Sequence, residues 1–344
     1  MTRYLKILFL SFGHLIVDLS GIYLINVQYN YYDFKYIALF FIIYNLIAFG
    51  FQPIFGYYAD LKNYYLLFTV LGLLLPILSL YLKGLGILAI VISTIGNALY
   101  HVGGGILSMN LFPDKAAPAG VFVAPGAIGV FLGVFFASHS YSYDGVISII
   151  GILLLITIYL VLKSDNSRVI NKKLNINFTI IIGLLLIIIL IRGFIGSILI
   201  FSWSDNLIYK AILVFSVFIG KFMGGILGDC LGYKRVGIFG LLASAPLLLL
   251  GYYLPLLGFF GALFFNFTMG ITLYLIIDSL GIYKGFAFGL TTLSLIIAFL
   301  PKMFGISFTF GLRYNLVVLI LVFVGAYVLS IAVNIYIKGQ KEGV

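Results

Sequence analysis

Apolar runs of about twenty residues follow one another along almost the whole chain. A helix needs roughly 20 mostly apolar residues to cross a lipid bilayer. Hydrophobic residues make up 63% of the 344 residues and charged residues only 9%, whereas soluble domains carry about 25% charged residues. No soluble interior of this size hides so much apolar surface, so a membrane protein is predicted. The runs predict twelve membrane-spanning segments, at 5–28, 34–58, 64–82, 85–109, 118–139, 144–163, 177–201, 207–228, 235–254, 257–278, 284–308 and 314–338.

The positions of lysine and arginine predict the orientation of these segments. With both termini in the cytoplasm, the cytoplasmic basic residues are Arg3, Lys6, Lys62, Lys115, Lys163, Arg168, Lys172, Lys173, Lys234, Arg235, Lys284, Lys338 and Lys341. The outer ones are Lys35, Lys83, Lys210 and Arg313. Because basic residues concentrate on the cytoplasmic side, we expect a multi-pass protein of the inner (plasma) membrane with both termini inside. The first apolar run is too long for a cleaved leader, so we expect it to be retained as the first segment.

Two related halves are predicted from a loop that occurs twice. Each copy has a glycine four residues before an aspartate, with basic residues just after it. The two sets are Gly56, Asp60 and Lys62, and Gly225, Asp229, Lys234 and Arg235. The offset, 229 − 60 = 169, is close to half the chain, as in transporters whose parallel halves rock about a central site. We therefore expect an all-α membrane protein of two pseudo-symmetric six-helix bundles, 1–163 and 177–344, with a cytoplasmic linker at 164–176.

The repeated loops are candidate gating elements. A glycine lets neighbouring helices approach closely, and an aspartate is favourable at a helix N-terminus. The basic residues could then bind the facing half, so that breaking and remaking the contacts gates the inner side. The alternative is an ordinary cytoplasmic loop that is basic only because of its orientation.

Six ionisable residues lie well inside the predicted segments: His14, Asp18, His101, Arg192, Lys221 and Lys302. Placing such a group in a membrane helix costs about 2.5–3.5 kcal/mol, so each is a functional candidate. His14 and Asp18 are four residues apart and share one helix face. Because histidine titrates near neutral pH and a nearby carboxylate favours its charged form, they are a candidate proton-coupling pair. The alternative is a structural pair that holds the first helix against a neighbour.

Three of these residues are cations, and Asp18 is the only acid placed to neutralise them. A buried charge needs a partner, so the surplus of positive charge predicts an anionic substrate. The planar guanidinium of Arg192 suits a carboxylate or phosphate, and Lys221 offers a point charge. Lys302, near the outer end of its segment, could instead extend its amine outward and bind nothing specific.

Further polar residues complete the predicted substrate site. Gln52 is the repeat equivalent of Lys221, since 221 − 169 = 52. Asn97 precedes His101 by four residues, so both share one face of the fourth segment. His101 is predicted either as a substrate or proton site or as a buried, hydrogen-bonded histidine. The expected substrate-binding residues are Arg192, Lys221, Lys302, His101, Gln52 and Asn97.

The two loops resemble the signature loop of the major facilitator superfamily. Within that superfamily, the N-terminal half is similar to the fosmidomycin-resistance type of antiporter. The matching segments are GHLIVD at 13–18, QPIFGYYAD at 52–60, the glycine-rich stretch around 100–101 and APGAIG at 124–129. That family usually continues its helix-four histidine with Pro and Glu, where this chain has Val102 and Gly103 after His101. The resemblance implies a twelve-helix secondary transporter.

Two transport functions are compatible with the sequence. One is a secondary transporter of a small organic anion, of the carboxylate, phosphate or phosphonate type, with protons as the coupling ion. The other is a proton-coupled exporter of neutral or cationic compounds, including drugs, in which Asp18 is essential and the cations are structural. An enzyme is disfavoured because no acid–base or metal-ligand spacing is present. We expect no cofactor, no metal ion and no nucleic-acid partner, and a monomer in the lipid bilayer.

Overall fold

The computed structural model describes residues 2–139, 141–163, 178–306 and 309–342. In these ranges the chain forms fourteen α-helices and no β-strand. The helices are α1 (Arg3–Val27), α2 (Phe34–Asn45), α3 (Gln52–Lys62), α4 (Tyr65–Tyr81), α5 (Ile87–Asn110), α6 (Ala117–Ser138), α7 (Tyr143–Lys163), α8 (Phe178–Ile198), α9 (Leu207–Leu231), α10 (Tyr233–Leu250), α11 (Pro255–Phe265), α12 (Thr268–Leu280), α13 (Lys284–Met303) and α14 (Leu312–Glu342). The predicted linker at 164–176 lies outside the described residues, so the division of the chain there stays a prediction.

The fourteen helices correspond to the twelve predicted segments. Eleven helical stretches in the described residues are long and apolar enough to cross a membrane. The remaining predicted segment, the third, is α4, which is also apolar but has 17 residues. Because α2 with α3, and α11 with α12, each form one stretch, the predicted all-α architecture of twelve segments is confirmed.

The second segment is interrupted in its middle by a π-helical turn at Leu46–Gly50. The cause lies in Pro53, because proline has no N–H to donate to the carbonyl four residues earlier. That carbonyl belongs to Phe49, and it accepts the hydroxyl of Thr292 on α13 at 3.1 Å instead. The interruption therefore provides a hydrogen bond between distant parts of the chain.

The tenth segment is also broken, between α11 and α12. Asn266 lies at the break, and its side-chain amide donates to the carbonyl of Ala262 at 2.8 Å. Side-chain amides compete in this way with backbone N–H groups for helical carbonyls, which weakens the helix locally.

We call residues 2–163 the first half and residues 178–342 the second half. Within the first half α1 packs on α5 and α6, and within the second half α8 packs on α13 and α14. Between the halves the main packing is α6 on α9 and α3 on α13. These contacts involve the end of α3 with the start of α13, and the end of α9 with the start of α6. The halves therefore meet closely at one end of the bundle.

Glycines allow this close approach. A Cβ atom on Gly56 would collide with the backbone of Gly285, and one on Gly225 would collide with the backbone of Ala116. Gly56 and Gly225 are the glycines of the two repeated loops, 169 residues apart. Side chains at these points would hold the helices apart.

Candidate functional site

Four polar residues of the first half converge in the middle of α1 and α5. His14 and Asp18 lie one turn apart on α1, and Asn97 and His101 lie one turn apart on α5. Each exposes at most 9% of its surface. The four residues are therefore shielded from lipid and largely from water, where hydrogen bonds and charges act more strongly. We call them the central cluster.

His14 is held between a backbone carbonyl and a carboxylate. Its Nδ1 atom lies 2.7 Å from the carbonyl oxygen of Phe122 on α6. Its Nε2 atom lies 3.2 Å from Oδ2 of Asp18. The ring also stacks on the Phe122 ring, with centroids 4.8 Å apart. These contacts fix the orientation of the imidazole.

Asp18 and His101 are fixed in the same way. The side-chain amide of Asn97 donates to Oδ1 of Asp18 at 2.9 Å. Nδ1 of His101 lies 2.9 Å from the carbonyl oxygen of Asn97, and its Nε2 lies 3.8 Å from Oδ1 of Asp18. Both imidazoles therefore direct Nε2 toward one carboxylate, from two helices.

The hydrogen-bond partners determine the tautomer of each histidine. A backbone carbonyl can only accept, so the Nδ1 atoms of His14 and His101 both carry hydrogen. A neutral ring of this tautomer has a lone pair at Nε2. With Asp18 ionised and both rings neutral, no hydrogen bond joins either ring to the carboxylate. One added proton creates a hydrogen bond between His14 and Asp18, so the central cluster has the chemistry to hold a proton.

The same three side chains offer ligand atoms for a metal ion. The ligand atoms of His14, Asp18 and His101 lie within 4.8 Å of one another. Imidazole nitrogen and carboxylate oxygen are ligands of divalent transition metals. The sequence displays no metal-ligand spacing because His14 and His101 are 101 − 14 = 87 positions apart and meet only in the fold.

Arg192 on α8 is a buried cation with weak partners. It exposes 6% of its surface. Its guanidinium lies 3.4 Å from the hydroxyl of Thr272 and 3.1 Å from the sulfur of Met269, and its Nε has no hydrogen-bond partner. Within the described ranges, Arg192 forms no ion pair with a carboxylate. A buried cation in such surroundings is costly unless an anion joins it.

Lys221 on α9 lies within electrostatic range of both Arg192 and the central cluster. Its side chain is half-buried and interacts electrostatically with Asp18 of the first half and Arg192 of the second half. It also influences His101. The structure therefore brings Lys221 into the neighbourhood of the cluster from the opposite half, as a central site requires.

The remaining two predicted substrate residues have different surroundings. Lys302 is exposed near the end of α13, with its amine 5.6 Å from the Phe299 ring centroid. Gln52 is fully buried, and its amide donates to the carbonyl of Ala48 at 2.5 Å. Its backbone packs at the crossing of α3 and α13, where a Cβ on Gly289 would collide with it. Neither side chain has a contact that joins it to Arg192 or to the central cluster among the described residues.

Three residues of the site were not predicted from the sequence: Phe122, Met269 and Thr272. Phe122 supplies both a carbonyl and a ring to His14, and the other two contact Arg192. Phenylalanine and methionine are typical core residues of any membrane helix, so no sequence signal distinguishes these two. Thr272 lies in the tenth segment, which contributed no residue to the predicted substrate site.

Comparison with known proteins shows which architecture holds this site. No family model matches the chain, and no curated protein matches its sequence. Among solved structures, the E. coli fucose:proton symporter FucP matches with a TM-score of 0.69, over 96% of this chain and 98% of that one, at 14% identity. The chain has the major facilitator superfamily fold. The similarity to fosmidomycin-resistance antiporters stays a prediction.

In this major facilitator fold, the repeated loops lie where the two halves meet. The carboxylate of Asp60 at the end of α3 accepts the backbone N–H groups of Gly285 at 2.7 Å and Phe286 at 2.9 Å. These groups open α13 and have no partner within their own helix. The hydroxyl of Tyr65 also donates to Asp60. A carboxylate at a helix N-terminus is favoured by the helix dipole.

The second copy of the loop makes the equivalent contact. The carboxylate of Asp229 at the end of α9 accepts the backbone N–H groups of Ala116 at 2.8 Å and Ala117 at 2.9 Å, at the start of α6. The hydroxyl of Tyr233 donates to the same carboxylate at 3.0 Å. Each half of the major facilitator fold thus inserts one aspartate into the other. We call these two contacts the paired latch.

The basic residues of the loops do not take part in the paired latch. Lys234 donates to the side chain of Asn334 at 3.0 Å, and Asn334 belongs to the same half. Lys62 and Arg235 are exposed. In this structure Lys234 thus bonds within its own half, because the helix N-termini offer N–H groups that only the aspartates can accept. Its binding to the facing half stays a prediction.

Proposed function

We propose that this protein is a secondary transporter that moves a small organic anion across a membrane by alternating access. The observation that carries the proposal is the state of Arg192: a buried guanidinium with an unpaired Nε and no carboxylate partner in the described residues. Leaving a charge in such a place costs several kcal/mol. An anionic substrate that binds there supplies the missing partner.

The charge balance of the centre supports an anion. Asp18 contributes −1, while Arg192 and Lys221 contribute +1 each. With neutral histidines, the charges of these three residues therefore add to +1. A carboxylate, phosphate or phosphonate group neutralises this excess and can bind the guanidinium through two parallel hydrogen bonds. Asn97 and His101 belong to the central cluster, within electrostatic range of Lys221, and are the proposed contacts for the rest of the substrate.

We place the coupling proton between His14 and Asp18. The support is geometric: Nδ1 of His14 already donates to Phe122, so a hydrogen bond from Nε2 to Asp18 requires a proton on one of the two side chains. Asp18 also interacts with Lys221 of the other half. Gain or loss of this proton therefore changes the net charge near Lys221. Since the anion also binds near Lys221, protonation and anion binding influence each other there.

The paired latch is the proposed gate. Its contacts hold the halves together at one end and must separate when the protein opens there. From the distribution of lysine and arginine we place this end in the cytoplasm, with both termini on the same side of the inner membrane. Lys62 and Arg235 then face the cytoplasm and anionic lipid headgroups. We propose a monomer as the transporting unit.

The test combines ligand screening with transport. Thermal unfolding of the purified protein in nanodiscs, measured against carboxylates, phosphate monoesters, phosphonates and organic cations, should show stabilisation by one of the anion classes, because a ligand stabilises the state it binds. The best anion is then radiolabelled for uptake into proteoliposomes. Arg192→Gln should reduce uptake at least tenfold, whereas the exposed control Lys302→Gln should leave it unchanged.

Two results would count against the proposal. Normal uptake by a well-folded Arg192→Gln protein would remove its central residue. Stabilisation by organic cations alone, with transport lost in Asp18→Asn and retained in Arg192→Gln, would instead support the exporter of cationic compounds. Thermal unfolding and gel filtration of each variant distinguish loss of function from loss of fold.

A further inference from the structure

We propose that His14, Asp18 and His101 form a binding site for one divalent transition-metal ion of the Zn²⁺ class. All three side chains belong to the first half, on α1 and α5, and each is at least nine-tenths buried. Their ligand atoms lie within 4.8 Å of one another. The proposal concerns metal binding alone and does not depend on the nature of the transported substrate.

The histidines are prepared as metal ligands. A ligating imidazole almost always donates its other ring N–H to a carbonyl or carboxylate, which fixes the tautomer and the ring orientation. His14 does this through Nδ1 to Phe122 at 2.7 Å, and His101 does so to Asn97 at 2.9 Å. Both Nε2 lone pairs are therefore directed inward. Asn97 also donates to Asp18, which orients the carboxylate.

The spacing suits a small ion. Zn²⁺ binds nitrogen and oxygen ligands at about 2.0–2.2 Å, so ligand atoms around a tetrahedral ion lie roughly 3.3 Å apart. Nε2 of His14 and Oδ2 of Asp18 are 3.2 Å apart and already fit. Nε2 of His101 and Oδ1 of Asp18 are 3.8 Å apart. Since the three ligand atoms lie within 4.8 Å of one another, side-chain movements of at most about 1.5 Å bring them to tetrahedral spacing.

Gly126 leaves space for a further ligand. A Cβ atom at this position of α6 would lie 2.6 Å from Oδ2 of Asp18 and 2.8 Å from Nε2 of His14. The absence of a side chain therefore keeps one position beside these ligand atoms clear of carbon. Zinc sites with three protein ligands place a water or a bound anion in the fourth position. Lys221, in electrostatic range of Asp18, favours an anion there.

The ligand set also predicts which ions are excluded. Two imidazoles and one carboxylate suit Zn²⁺, Co²⁺, Ni²⁺ and Cu²⁺, whereas Mg²⁺ and Ca²⁺ require mostly oxygen ligands. Transition metals should therefore bind in the presence of excess Mg²⁺. Since the ion would occupy the space between His14 and Asp18, it would also exclude the proton that we place there.

The experiment measures Zn²⁺ binding to the purified full-length protein in detergent, by equilibrium dialysis, without added anion substrate. A histidine-free affinity tag avoids added imidazole ligands. A Cys230→Ser background removes the exposed thiol as a competing ligand. We expect one Zn²⁺ per chain. His14→Gln and His101→Gln should each weaken binding at least tenfold. His139→Gln is the matched control, because His139 is the third histidine and is exposed, and it should leave binding unchanged.

A measurement on the unmodified ligands covers the case in which these variants fail to fold. Cu²⁺ bound to the Cys230→Ser protein should give an electron paramagnetic resonance spectrum with nitrogen couplings from two imidazoles. Absence of stoichiometric binding of both ions, binding that His14→Gln and His101→Gln leave unchanged, or a spectrum with one nitrogen ligand or none would overturn the proposal. None of these results bears on whether Arg192 binds an anion.

Discussion

Asp60 and Asp229 stand 169 residues apart and make the same contact in opposite directions. Each carboxylate accepts two backbone N–H groups at the start of a helix in the other half. Four hydrogen bonds to charged acceptors thus join the halves at one end. Each such bond contributes about 1.5–3 kcal/mol, so the paired latch has enough free energy to determine which conformation is populated.

Removing the negative charges of the paired latch should open that end. In Asp60→Asn and Asp229→Asn, one acceptor oxygen is replaced by an N–H donor that faces another N–H. We expect at least a tenfold shift toward separated halves, since loss of one such bond costs about 1.5–3 kcal/mol. Tyr58 and Leu231 are exposed and lie in opposite halves. Spin labels on Tyr58→Cys and Leu231→Cys, in a Cys230→Ser background, report the distance between the halves by pulsed electron paramagnetic resonance. Asp33→Asn, an exposed aspartate without a capping bond, should change nothing.

A methyl group at the crossing of α3 and α13 should have the same effect by a steric route. The Cβ of Gly56→Ala meets the backbone of Gly285, which cannot rotate away as a flexible side chain would. The label distance at that end should therefore lengthen. Gly151→Ala is the control, because a Cβ there meets nothing within 4 Å. An unchanged distance distribution in Gly56→Ala would show that the crossing is looser than described.

The two lysines should differ in their effect on anion binding. Lys221 interacts with charges of both halves, whereas Lys302 is exposed beside Phe299. In Lys221→Gln, the concentration of the preferred anion needed to stabilise the protein by a given amount should rise at least tenfold. In Lys302→Gln, this concentration should not change. Thermal unfolding at increasing anion concentration measures both. Equal effects of the two substitutions would return Lys302 to the substrate site.

Asn97 should contribute to stability through Asp18. In Asn97→Ala the buried carboxylate loses its amide donor, and an unsatisfied buried group costs about 1–3 kcal/mol. The free energy of unfolding in mixed micelles should fall by that amount. Asn45→Ala is the matched control, since Asn45 is only half-buried and its amide makes an exposed hydrogen bond to the carbonyl of Phe41 in its own helix. If Asn97→Ala and Asn45→Ala have the same free energy of unfolding, the hydrogen bond to Asp18 makes no net contribution to stability.

Segment positions were predictable from the sequence because the bilayer thickness imposes one length on every apolar run. The sixth predicted segment, at 144–163, matches α7 to within one residue. The break in the second segment was not predicted, because apolar composition continues through Leu46–Gly50 unchanged. Its cause, the missing N–H of Pro53, is local chemistry that an average of hydrophobicity does not contain.

The site was predictable only as far as helix periodicity reaches. The four-residue spacing placed His14 beside Asp18, and Asn97 beside His101, since residues one turn apart share a face. The bond from Asn97 to Asp18 joins two residues that are 79 positions apart in sequence, and it depends on how α1 packs on α5. The exposure of Lys302 likewise depends on the rotation of α13, which is set by its neighbours.

The π-helical turn at Leu46–Gly50 separates the second segment into two arms with different attachments. The arm formed by α3 is bound to the second half through Asp60, while α2 packs on α1 and α5 of its own half. A change of direction at this turn would move α2 while the contact of Asp60 with α13 stays closed. The second segment would then hold the halves together at one end and change the shape of the bundle at the other.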